Sequence, residues 1–174
     1  LSKLSGISIG AISKIEKGQT RAAFDTVLRI GRALRISFVE MMDGPSGRHT
    51  SSGRMTFTRL GEAQTFETAE YLYKVHSGGL MHKVMIPLHI TIKGSNPPSP
   101  DEWTTHDGEK FIFVLSGVVT ILTEQYAPIT LKERESCYFD STMRHCMVSA
   151  VDGSSEVLSV CLTRESFEEM EQKD

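Results

Sequence analysis

The stretch DGPSGRHTSSGR, Asp43 to Arg54, divides the sequence into two parts that cannot fold alike. It is rich in Gly and Ser, holds a Pro, and has almost no apolar surface to bury, which marks it as a linker. Before it, apolar residues recur at helical spacing. Ile7, Ile12 and Ile15 lie near one face of a short helix, and Val27, Leu28, Ile30, Gly31 and Leu34 near one face of a longer one. After it, AEYLYKVH, KVMIPLHITIK, KFIFVLSGVVTIL, ITLKE, SCYFD and EVLSVCLT are β-branched and aromatic runs parted by Gly, Pro, Asp or Ser. Short strands without intervening helices predict an all-β sandwich or barrel. The closing run ESFEEMEQKD is expected to be a short helix or a frayed end. The expected organisation is therefore a small all-α head over 1–42, a linker over 43–54 and an all-β body over 55–174.

Charge follows the same division. Of 19 Lys and Arg and 22 Asp and Glu, residues 1–48 hold eight basic and four acidic side chains, leaving an acidic remainder. A basic head on an acidic body points the head at a polyanion. The three cysteines, Cys137, Cys146 and Cys161, lack CxxC spacing and form an odd set, which speaks against a disulfide framework or zinc knuckle. No apolar run approaches the ~18 residues of a membrane span, and no secretory leader is evident. A cytoplasmic protein without a membrane partner is the expectation.

Within the head, LSKLSGISIGAISKIEKG has the grammar of a helix-turn-helix. Gly6 suits the φ > 0 that ends the first helix, Ile7 fills the gap, and Ser8 can cap the second. Ile12 and Ile15 face inward, leaving Ile9, Gly10, Ser13, Lys14 and Lys17 outward, and Gly18 stops the helix. Docked in a major groove, Ser8, Ile9, Gly10 and Ser13 would lie nearest the bases, with Ile9 suited to a thymine methyl. Lys14, Lys17, Gln19, Thr20 and Arg21 suit phosphate contacts. A plain helical hairpin shares single features of this set, but the combination favours DNA. The segment closely resembles the helix-turn-helix of XRE (lambda-repressor-like) transcriptional regulators, whose recognition helix often ends in a pattern like SKIEKG. That resemblance implies a further helix ahead of Leu1 and a head that is N-terminally incomplete, with Ile12, Ile15 and Leu28 lacking its cover.

The body resembles the cupin jelly-roll barrels. Their first signature, G-x5-H-x-H-x(3,4)-E-x6-G, sets its second His on His106 and its closing Gly on Gly117. Its first His falls on Thr104 and its carboxylate on Lys110. Neighbouring Glu109 must face away from Lys110, because side chains alternate along a strand. Ile112 and Val114 should face with Lys110, and Phe111 and Phe113 oppositely. The second signature spans Arg134 to Ser149 and keeps only His145; Arg134, Asp140, Thr142 and Ser149 take its other marked places. Cupins fused to XRE heads share this two-part order.

In such barrels two histidines and a carboxylate hold a metal. Here that set is degraded, and no cofactor is favoured. A divalent metal would rest on His106 and His145, with His89, His82 or Glu109 as a third ligand, against the charge of Lys110. The favoured pocket is metal-free: Lys110, His106, His145 and Arg144 present positive charge to a small anionic effector, and Trp103, Tyr138 and Met147 line it. The chain thus reads as a ligand-responsive regulator, a homodimer binding a DNA operator. The alternative is a metal-dependent cupin enzyme, a dioxygenase or isomerase, with an appended helical domain. A cupin serving only as an oligomerisation scaffold is a third.

Overall fold

The computed structural model describes residues 1–20, 22, 24–34, 55–80, 85–106 and 108–162. The linker over 43–54, the closing run, Arg21 and His82 lie outside these residues.

In the head, α1 (Ser2–Ser5) ends on Gly6, whose φ of 67° places it in the left-handed region. Glycine suits that conformation, in which any L side chain is strained. Ile7 is buried between the helices, its N–H donating to Ser5 Oγ and its carbonyl accepting from Ser2 Oγ. Ser8 caps α2 (Ile9–Glu16) by accepting from the Ala11 N–H at 3.2 Å. α3 (Phe24–Leu34) is tied back to α1 by Arg29, whose Nε–H donates to the Ser5 carbonyl at 3.0 Å. Ile12, Ile15, Val27 and Ile30 are half-buried, Gly31 is buried, and Leu34 is exposed.

The body follows the expected all-β plan. Its strands are β1 (Gln64–Glu67), β2 (Tyr71–Val75), β3 (Met85–Ile92), β4 (Glu109–Ser116), β5 (Val118–Thr123), β6 (Ile129–Lys132), β7 (Ser136–Asp140), β8 (His145–Ser149) and β9 (Ser155–Leu162). They form a six-stranded antiparallel sheet, β1-β2-β3-β9-β4-β7, and a three-stranded one, β6-β5-β8. The run KFIFVLSGVVTIL is two strands, not one. At Gly117 (φ 80°) the chain passes from the larger sheet to the smaller, over Ser155, whose Oγ would stand 2.5 Å from an added Cβ. β1 and β8 were not among the expected strands. Arg134 has a φ of 69°, so it holds a left-handed backbone at the place where the second cupin signature has glycine.

The core lies between the sheets. Leu88, Ile90 and Ile92 of β3, Ile112 and Val114 of β4, Val119 and Ile121 of β5, and Val157 of β9 are almost wholly buried. Each contributes roughly 1.5–3 kcal/mol of burial to holding the sheets together. Alternation on β4 runs as expected: Lys110, Ile112 and Val114 point into this core, Phe111 and Phe113 are half-buried on the other face, and Glu109 is exposed. Cys137, Cys146 and Cys161 are free thiols. No helix among the described residues is long and apolar enough to cross a membrane.

Candidate functional site

Lys110 lies inside the barrel because β4 alternation gives it no other side to face, and its Nζ stands 2.8 Å from His145 Nε2. His145 opens β8, and Met143 just before it supplies a carbonyl 2.8 Å from His145 Nδ1. A carbonyl only accepts, so Nδ1 carries the imidazole proton and Nε2 offers its lone pair to the lysine. Burial first, then the charge of Lys110, holds the His145 imidazole well below its usual pKa; the Met143 hydrogen bond pulls weakly the other way. Burial likewise lowers Lys110, with Cys161 opposing.

The surrounding loop is stitched to this pair. Thr104 and His145 exchange backbone hydrogen bonds at 2.9 Å, and the His106 N–H donates to the Ser141 carbonyl at 3.0 Å. His106 is thereby brought to His145, ring centroids 5.6 Å apart and edge to face, and Phe139 stands edge-on to His145 at 4.9 Å. Across the barrel Tyr71 donates its hydroxyl to the Met147 carbonyl at 2.8 Å and accepts the Met147 N–H at 3.1 Å. The Lys110–His145 pair opens on a cavity of about 10 Å³, whose walls include Tyr71, Tyr73, Thr104, Cys146, Met147 and Cys161. That is the room one water needs. Burial pushes the Cys146 thiol up to about 11, so this wall stays protonated. A larger depression of about 600 Å³ lies elsewhere, open to solvent and lined by residues such as Thr120, Leu122, Pro128 and Val151. It has no His, Lys or Arg among its described lining residues.

Of the expected pocket residues, the structure brings together Lys110, His145, His106 and Met147. Trp103 does not line the cavity; half-buried, it donates its indole N–H to the Pro98 carbonyl at 3.1 Å. Arg144 points elsewhere too, its guanidinium donating to the Pro100 carbonyl. Tyr138 is 60% exposed, on the outer face of β7. The inward residue of β7 is Phe139, the partner of Lys110 in the strand register. Tyr71, Tyr73, Cys146 and Cys161 carried no site expectation, although Cys161 sits opposite Lys110 on β9.

The described residues of this arrangement do not fit a divalent metal. Lys110 Nζ occupies the Nε2 lone pair that an ion on His145 would need. Glu109 is exposed and His89 lies toward Glu156, its Nε2 3.5 Å from that carboxylate. No cluster of three His, Cys, Asp or Glu able to hold a metal exists among the described residues.

In the head, Ser8, Ile9, Gly10, Lys14, Lys17, Gln19 and Thr20 are exposed, and Ser13 is half-buried. Ile9 is 78% exposed, which is unusual for an isoleucine opening a helix over an apolar core. The exposed side of α2 therefore has an apolar tip at Ile9 and a lysine at Lys14, with Lys17 just past its end.

Comparison with known proteins divides the chain as the fold does. Residues 1–41 match the helix-turn-helix family model, and residues 92–161 match the cupin domain model. The fold is similar to a transcriptional regulator of the helix-turn-helix (HTH_3) family from Vibrio cholerae, with a TM-score of 0.61 and 15% identity over 92% of this chain and 83% of that one. It is also similar to hydroxypropylphosphonic acid epoxidase from S. wedmorenis in complex with fosfomycin, with a TM-score of 0.55 and 18% identity over 92% and 87%. The structure of FeII HppE gives 0.55 and 20% over the same shares. At such identities the likeness is one of fold. No curated protein matches the sequence.

Proposed function

We propose that this chain, which joins an XRE-type helix-turn-helix domain to a cupin domain, is a transcriptional regulator whose cupin domain senses a small anionic metabolite. The observation that carries the DNA half is the capped helix α2, with Ile9 exposed at its tip, Lys14 exposed along it and Lys17 exposed at its C-terminal cap. That is an apolar reader followed by phosphate contacts, the division of labour that groove recognition needs. The sensing half rests on Lys110 and His145, ionisable side chains buried together inside the barrel. A purely structural barrel gains nothing from burying an amine.

The domains divide at 1–42 and 55–174 with the linker between, and two copies pair so that two heads meet two operator half-sites. The cavity admits about one water, so an effector larger than that must displace part of the wall. This displacement is the difference between free and bound states through which a ligand can bias the heads. The enzyme reading needs a third metal ligand, which the described residues do not supply.

Selection of bound DNA from a random pool by the protein tests this. Enriched sequences with paired half-sites about 10 bp apart are expected. A protein that enriches nothing, or that binds all sequences equally, overturns the regulator reading.

A further inference from the structure

The buried amine of Lys110 has a neighbour that a merely structural lysine does not require. Its Nζ meets a lone pair rather than a carboxylate: His145 Nε2, 2.8 Å away, held in the accepting tautomer by the Met143 carbonyl. No Asp or Glu is among the described residues that line the adjoining cavity. An amine next to a positioned base, facing a space the size of one water, is arranged as a nucleophile. Charge alone gives the anionic effector one donor here against the hydration it loses, so its capture gains from a further bond. A carbonyl group is about as large as the water it would displace.

We propose that the effector of the cupin domain is a small aldehyde, captured reversibly as an imine on Lys110. This rests on the sensing reading above. In the capture, the Lys110 nitrogen attacks the carbonyl carbon, a C–N bond forms and the C=O π bond breaks. Two protons pass from nitrogen to oxygen by way of His145 Nε2: the first turns the new alkoxide into a hydroxyl, and the second lets that hydroxyl depart as water as the C=N bond forms. Amine and aldehyde give imine and water, with no change of oxidation state and no further reactant. Hydrolysis by the reverse path releases the aldehyde. Burial, which lowers the amine's proton affinity, favours the nucleophilic form.

The test is competitive reductive trapping on the full chain with glyoxylate, an aldehyde that also bears a negative charge, and cyanoborohydride, followed by peptide mapping. Lys3, Lys14, Lys17 and Lys132 are exposed, whereas Lys110 is 5% exposed. Accessibility alone therefore places Lys110 after these four. The proposal expects Lys110 to be modified first, about tenfold ahead of the exposed lysines. It also expects His145→Gln to slow modification at Lys110 without affecting the others. Modification of the exposed lysines with Lys110 last, in the unmutated protein, overturns the imine, whatever the variant does. Affinity for the selected DNA, measured with and without trapping, separates the two readings. Lys110 modified first with DNA affinity unmoved keeps the imine and removes the sensing. Lys110 last while another metabolite shifts DNA affinity keeps the sensing and removes the imine.

Discussion

Replacing Lys110 with methionine isolates one titration inside the barrel. The lysine is buried and its proton affinity in the folded protein is lowered from the ordinary 10.5. Between the lowered folded value and 10.5 the unfolded chain binds a proton that the folded chain lacks, so stability rises with pH across that window. At full separation the rise is about 1.4 kcal/mol per pH unit. For a body of this size that is roughly 4 °C of Tm per unit. Below the folded value both states are protonated and the penalty for burying the ammonium is constant. Methionine fills a similar volume and binds no proton, so Lys110→Met should lose the alkaline rise. It also removes the donor to His145 Nε2, an offset of about 1–3 kcal/mol that does not depend on pH above neutrality. The absolute Tm of the variant is thus a poor guide and the slope a good one. Cys146, whose thiol is pushed from 9.0 up to about 11, and Tyr71, also raised by burial, lose stability as pH climbs past their unfolded values. Both titrate identically in the two proteins, and the difference between the curves cancels them. The assay is thermal unfolding by circular dichroism from pH 7 to 10.5. Parallel curves would refute the reasoning, since they would mean that Lys110 keeps its proton equally in both states.

Other expectations follow from single positions. Lys14→Ala and Lys17→Ala should each reduce the salt slope of DNA binding by roughly one, read from anisotropy titrations at several salt concentrations. An unchanged slope would remove that lysine from the phosphate contacts. Gly117→Ala should destabilise the body by about 2 kcal/mol or more in urea unfolding, because it adds left-handed strain to a Cβ 3.2 Å from the Ser155 Cα. Arg134→Gly should stabilise it by roughly 0.5–1 kcal/mol, the strain of a left-handed arginine less the entropy cost of glycine. Tyr71→Phe should cost about 1–3 kcal/mol, since it deprives both backbone groups of Met147 of their partner.

Features fixed by local chemistry were legible in the sequence. Gly6, Ile7 and Ser8 specify the turn within a few residues of one another, and the structure places each as the sequence requires. Lys110 was set at the site by the spacing of the cupin signature, and alternation then put Ile112 and Val114 on its side and Glu109 on the other, as β4 has them. Tyr138 and Phe139 were harder. SCYFD alternates, but its parity is set by the pairing of Phe139 with Lys110, a contact between distant strands that local spacing does not encode. β8 was missed for a different reason: every residue of HCMVS is buried, so no alternation survives to announce a strand. β1 is a short edge strand of mostly exposed residues, which leaves almost no pattern. The small size of the cavity was also beyond the sequence. It depends on Tyr71 and Tyr73 meeting β8 across the barrel, which two tyrosines in an alternating run do not reveal.

The double hydrogen bond of Tyr71 has a consequence for how the protein behaves in company. β8 is the outer strand of its sheet, and its backbone groups pointing away from β5 are those of His145, Met147 and Ser149. Left open, they would template pairing with another chain. Each is already engaged: His145 by Thr104, Ser149 through its N–H by the Gly94 carbonyl, and Met147 on both sides by one phenol. A single hydroxyl thus takes the place of a missing strand at the midpoint of the row. Its removal would open a gap through which two molecules could begin to zip together, so Tyr71→Phe should aggregate during refolding beyond what its lost stability explains.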